Sequence, residues 1–277
     1  MNPMALQRVV VRMLHDAPFA DAVYADPARA LAGVPLSDRE RAWLVAGDRR
    51  AWGTDPMRRH RGLQALLEEY PVSAAVLAAE GFPVGDHDAF FSGPRFHVAI
   101  QTRGSLAEAF GEHLAALATS ALAEGVVAIE RALAAVRRRH AAAWRPGANF
   151  RLSGRYRVVR AAIGTLDAYV ALDAALRADG HAPLERLLSG TFNVPAVEVA
   201  SSGEEALLVE AAAGDEAGAL SFATDELALL LEAALPGAAD ALLREVLGGL
   251  GLSTEEATEL LGELVADGLL EIALAQA

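Results

Sequence analysis

The stretch EALLVEAAAGDEAGALSFATDELALLLEAA, Glu205 to Ala234, decides the fold, because the period of its apolar residues changes within it. Glu205 to Ala211 and Gly218 to Ala223 are short runs of alternating or β-branched character, as half-buried strands require, and a Gly-Asp-Glu turn cluster separates them. From Thr224 to Leu235 the spacing becomes helical. Downstream, Ala238 to Leu247 and Ser253 to Asp267 read as two more helices. Ser253 and Glu256 form a capping box, since hydroxyl and carboxylate each satisfy a free backbone N–H. Gly268 ends that helix and leaves Leu269 to Ile272 as a possible closing strand. Upstream, Val194 to Ala200 is a further strand-like run set off by Ser201-Ser202-Gly203. Three strands followed by three compact helices is the pattern of a winged helix-turn-helix, expected over residues 192–277.

The fold class expected is mainly α, with a helical domain over residues 1–188 preceding this α+β module. Leu6, Val9, Val10, Met13 and Leu14 form a helical stripe between Met4 and His15. A second short helix is expected over Phe19 to Leu31, with a reset at Asp26-Pro27, and a third from Ser37, capped with Glu40. Asp55-Pro56 opens a longer helix with Pro71 as a kink, ended by Gly81, Pro83 and Gly85. Ser105 and Glu108 restart another. Trp144 to Ser153 reads as a loop, Val158 to Ala178 as helix, and Ser189-Gly190 as the boundary.

The residues absent narrow the chemistry. With no cysteine there is no disulfide, thiolate metal site or cysteine nucleophile, and with no lysine there is no Schiff base or P-loop lysine. His15, His60, His87, His97, His113, His140 and His181 show no metal-ligand spacing, and His97 with Glu112 or His113 is better read as chance or as a partner-facing contact. No nucleophile elbow, dinucleotide fingerprint or Walker sequence is present, so no catalytic residue, metal or cofactor is assigned to the chain. There is no signal-peptide pattern and no apolar run of spanning length, so a cytoplasmic protein is expected.

The net charge of −13 is unevenly spread. Residues 1–160 carry 21 Arg against 16 acids, a net of +5, whereas residues 161–277 carry 3 Arg against 21 acids, a net of −18. Nine arginines between Arg131 and Arg160 suggest helix capping or a docking patch for an acidic protein. The last helix, the candidate recognition helix, contains several Glu and no Arg, which disfavours the alternative of a winged-helix transcription regulator. An acidic module of this kind still offers a sheet edge and an apolar groove, both suited to an extended peptide. The peptide-binding residues expected are Gly218, Ala219, Leu220, Ser221 and Phe222 on the third strand, with Leu260, Leu261, Leu264 and Val265 on the helix beside it.

Residues 205–234, with STEEATELLGELVADGLLEI at 253–272, resemble the recognition element of pathways that make ribosomally synthesised, post-translationally modified peptides, and are similar to the small chaperone of pyrroloquinoline quinone assembly. The resemblance implies that a precursor's leader peptide pairs with the third strand beside the third helix. RMLHDAPFADAVYADPARAL, LEEYPVSAAVL and DAFFSGPRFHVAIQTRGSLAEAFGEHL resemble helical partner proteins of multinuclear non-heme iron-dependent oxidative enzymes, including the partner subunit of methanobactin synthesis. That likeness implies an adaptor that is not itself an enzyme, with iron in the partner enzyme. It also implies that Tyr70, Phe90, Phe91, Phe96, His97, Gln101 and Arg103 face the enzyme or support the surface that does.

Overall fold

The structure is a computed structural model that describes residues 2–53, 57–139, 144–190, 195, 197–200, 202–211, 218–235 and 237–273. It is mainly helical and divides into two compact units, Met1–Ala118 with Leu176–Val194, and Thr119–Ala175 with Pro195–Ala277. The sequence places one cut, between 188 and 192. The observed division is discontinuous, and residues 119–175 go with the carboxyl-terminal unit.

The first unit begins with α1 (Pro3–His15), α2 (Ala17–Ala25), α3 (Pro27–Ala30) and α4 (Asp38–Val45). One device starts the first three: a proline in the first turn, whose missing N–H costs nothing there, behind an Asx cap. Asn2, Asp16 and Asp26 accept from the N–H of Ala5, Phe19 and Arg29. Ser37 and Glu40 form the expected capping box, and Glu40 also accepts from the Asn2 N–H at 2.9 Å. Val9, Met13, Val23, Leu31 and Leu44 pack into one buried cluster.

The unit continues through α5 (Arg58–Leu67), α6 (Pro71–Ala79), α7 (Val84–Asp88), α8 (Pro94–Thr102) and α9 (Leu106–Leu117). Pro71 opens α6 instead of kinking a longer helix, consistent with its fitness for a first turn. The opening expected at Asp55-Pro56 lies outside the described residues. Ser105 caps α9 by accepting from the Glu108 N–H at 3.2 Å.

The second unit starts with α10 (Ala121–Arg137), β1 (Phe150–Leu152), β2 (Tyr156–Ala162) and α11 (Thr165–Asp179). The last turn of α11 and α12 (Pro183–Ser189) belong to the first unit. There follow β3 (Glu204–Glu210), β4 (Ala219–Ala223), α13 (Asp225–Ala234), α14 (Asp240–Gly249), α15 (Thr254–Ala266) and β5 (Leu270–Ile272). β2, β3 and β4 form an antiparallel sheet in that order, and β1 pairs antiparallel with β5. Tyr156, Val158 and Leu208 turn one face of the sheet onto Leu230, Leu231, Leu243, Leu261 and Leu264 of the three terminal helices. By alternation, Val159, Leu207 and Val209 turn to the opposite face and are buried there.

Three sequence expectations are corrected. Val194 to Ala200 is not the first strand: residues 197–200 are irregular, and 194 and 196 lie outside the described residues. The sheet's first strand is β2, cut from a segment that reads as helix because Leu166, Tyr169 and Leu172 continue its apolar residues at helical spacing. Gly164, at φ +91°, breaks the two periods apart. The loop expected over Trp144 to Ser153 contains β1, which the closing strand β5 pairs with.

The turn between β2 and α11 is held from β3. The Glu205 carboxylate accepts from the N–H groups of Gly164 at 2.9 Å and Leu166 at 2.8 Å, so a residue remote in sequence caps α11. Glu205→Ala is expected to lower the unfolding free energy by about 1–2 kcal/mol, the range for lost caps, read from urea midpoints at unchanged slope. No helix among the described residues is long and apolar enough to cross a membrane.

Candidate functional site

β4 is an edge. β3 lies on one side of it, and among the described residues no strand lies on the other. Its register sets Leu220 opposite Val209 and Phe222 opposite Leu207. These two side chains therefore share a face, and Phe222 is left 61% exposed. The intervening Ala219, Ser221 and Ala223 are small and take the face turned toward the terminal helices. Gly218 is required for close approach, since a Cβ there would stand 2.7 Å from the Glu210 carbonyl oxygen and 2.9 Å from Leu133 Cδ2.

A groove of 390 Å³ starts at Thr224, the residue after β4, and runs between α13, the end of α14 and α15. Leu227, Leu230, Leu247, Leu250, Leu252, Leu260 and Leu264 give it an apolar floor, while Glu226, Glu263 and Asp267 give it an acidic rim. This groove continues from the end of the strand, with Thr224 as the residue of its lining nearest β4. Of the four α15 residues named from sequence, Leu260 and Leu264 line it, whereas Leu261 is core and Val265 packs against the core. The α13 and α14 leucines went unrecognised because helical spacing alone cannot tell a groove floor from a core. The acids at 226, 263 and 267 were the available signal.

Tyr70, Phe90, Phe91 and Phe96 are between 0% and 2% exposed, which corrects their reading as enzyme-facing residues. They are core. Phe90 sits edge-on to Phe91, Phe96 and Phe110, and the Tyr70 hydroxyl donates to the Ala107 carbonyl at 2.8 Å. His97 and Gln101 line a cleft on α1 and α8, and the exposed Arg103 ends α8 in the left-handed conformation, at φ 55°.

The arginine-rich segment divides: Arg138 caps the end of α10 by donating to the Ala134 carbonyl at 2.8 Å, as expected, whereas three later arginines pair with acids. Arg151 pairs with Glu271 at 2.6 Å, Arg155 with Glu210 at 3.2 Å, and Arg160 with Glu232 at 2.8 Å and Asp225 at 3.2 Å. These cations neutralise acids of their own unit, so the charge contrast read along the chain is partly cancelled in space.

Four histidines, at 15, 87, 97 and 113, are buried or half-buried, whereas His181 is exposed beside Asp179. Burial, followed by the charges of Arg58, Arg59 and His97, pushes the His15 pKa from 6.5 down to about 4, and burial also lowers those of His87, His97 and His113. His15 packs against Phe91 and Phe96 at centroid distances of 5.6 and 5.0 Å. A base whose pKa is lower folded than unfolded favours folding above its unfolded pKa. That contribution is lost as pH falls, here from about 6.5 through about 4. The expected loss for His15, discounted for its partial exposure, is about 1–2 kcal/mol. His15→Gln should flatten that part of the pH profile of thermal unfolding. Among the described residues no group of three or more histidines and carboxylates is placed to hold a metal ion.

Comparison with protein-family models gives no match, and comparison with curated proteins gives none.

Proposed function

We propose that the chain is a non-catalytic adaptor that captures the leader of a ribosomally made precursor peptide by strand addition to β4 and presents it to a multinuclear non-heme iron enzyme. On this reading the second unit is a variant winged helix-turn-helix, with β2, β3 and β4 as its sheet and α13 to α15 as its helices. The observation that carries it is the open edge of β4 leading directly, at Thr224, into a leucine-floored groove. An added strand gains backbone hydrogen bonds at the edge, and aliphatic side chains beyond it gain burial in the groove. Tethering the precursor this way holds its distal segment at high effective concentration near the partner enzyme, so the chemistry itself need demand little sequence. The regulator alternative requires cations on α15, whose exposed residues include Glu255, Glu256, Glu259 and Glu263.

Display of random peptides against the immobilised full chain tests the capture step. Selected peptides should protect the amides of Ala219–Ala223 from hydrogen exchange. Selection of none, or protection confined to other elements, sinks it. Stoichiometric iron on the purified chain alone would count against the non-catalytic role.

A further inference from the structure

A cleft of 320 Å³ opens in the first unit between α1, Phe19, the segment from Ala30 to Pro35, and α8. Its floor is apolar, with Val9, Phe19, Val34 and Ile100, and its polar lining consists of Arg8, Arg12, His97 and Gln101 without a single Asp or Glu. The polar groups are largely uncommitted. Among the described residues, the side chains of Arg8 and Gln101 make no hydrogen bond or ion pair. Arg12 is positioned by its Nε bond to Asp16 at 3.4 Å and by stacking 3.9 Å over Phe19, which leaves its two terminal nitrogens to donate elsewhere. The His97 Nε2 is buried and has no hydrogen-bond partner among the described residues.

Of the two arginines only Arg12 has a carboxylate, Asp16, and that bond occupies its Nε alone. Two guanidinium groups and an amide converge on an apolar floor that supplies no anion. We propose that this cleft binds an apolar carboxylate, its anionic end taking N–H donors from Arg8, Arg12 and Gln101 while its tail covers Val9, Phe19 and Ile100. The volume, at the lower end of the roughly 300–1,000 Å³ of small-molecule sites, fits a small organic acid or the terminal residue of a peptide. His97 completes the lining. Its neutral state is favoured by burial and by Arg12, with Arg8 lining the same cleft and His15 nearby, and is opposed by Asp16. An incoming anion adds to the pull of Asp16, so carboxylate binding is accompanied by proton uptake and strengthens as pH falls. The site belongs to a different unit from β4 and does not rest on the peptide reading.

Calorimetric titration of the full chain tests this with two carboxylates, hexanoate and N-acetyl-leucine, each set against a neutral counterpart, hexanol and N-acetyl-leucinamide. The acids should bind at least roughly tenfold more tightly than their counterparts, as lost charge-assisted hydrogen bonds imply. Arg8→Gln should remove a similar factor. Because Arg8 is exposed, its unfolding midpoint should be unchanged, and Gln101→Leu serves as a second variant with the same expected direction. Tighter binding of N-acetyl-leucine than of hexanoate identifies a peptide terminus as the source, and the reverse identifies a free acid. Equal binding of acids and neutral counterparts, no binding at millimolar concentrations, or full affinity in both variants overturns the proposal. An N-acetyl-leucine affinity that does not change between pH 7 and pH 5, the side of 6.5 toward which burial moves the His97 pKa, overturns the role of His97.

Discussion

Leu260→Asp is expected to reduce peptide capture by about 100-fold while leaving the thermal unfolding of the chain almost unchanged. Leu260 lines the groove and is half-buried, so its replacement costs the folded chain little. A bound aliphatic side chain, however, would have to desolvate the new carboxylate, at a cost of about 3 kcal/mol. The neighbouring Leu261 provides the contrast. It is 2% exposed within the cluster of Leu230, Leu243 and Leu264, and an aspartate there should remove cooperative unfolding of the second unit. The pair is read by circular dichroism and by affinity for a peptide selected against the unsubstituted chain. Equal capture by the Leu260 variant would remove the groove from the peptide site.

The terminal module was legible where local chemistry is strong. Ser253 with Glu256 caps α15, Thr224 caps α13, and β3, β4 and β5 fall within a residue or two of the runs that suggested them. The first strand was missed because β2 is followed almost directly by α11, and the valines at 158 and 159 fit either period. Topology contributed as well, since β2 and β3 are separated in the chain by α11 and α12, a connection no local signal announces.

Of the proposed site, the strand was legible: Ala219 to Phe222 lie on β4, which among the described residues pairs on one side only. The groove was only half visible, because a leucine on a helix declares burial without declaring what buries it. The aromatic set of the first unit shows the same ambiguity with the opposite outcome: Tyr70, Phe90, Phe91 and Phe96 have the composition of an interface, and the structure consumes them in a core. Arg151, Arg155 and Arg160 differ from the capping arginine Arg138 for a related reason. Counting charge along the chain cannot register that Glu271 lies opposite Arg151 across a strand pair.

Gly125→Ala is expected to destabilise the second unit by about 2 kcal/mol, although alanine is the better helix former by about 1 kcal/mol. Gly125 lies in the second turn of α10, where a Cβ would stand 2.6 Å from Thr165 Cγ2 and 2.9 Å from its Oγ1. Thr165 cannot yield cheaply. It is fully buried at the start of α11, and its hydroxyl donates to the Ala162 carbonyl at 2.6 Å, so rotating the side chain away exchanges a clash for a lost hydrogen bond. Thr165→Ala alone should cost about 1–2 kcal/mol through that bond and the lost methyl. The double variant removes the obstructing atoms and lets the new methyl occupy their space, so it should be more stable than the sum of the single changes by about 1–3 kcal/mol. Strict additivity in a urea double-mutant cycle would show that α10 and the start of α11 do not meet at this glycine. The same contact bears on the proposed peptide edge, because only two residues separate β2 from α11, and β2 is the strand on which β3 and then β4 are laid.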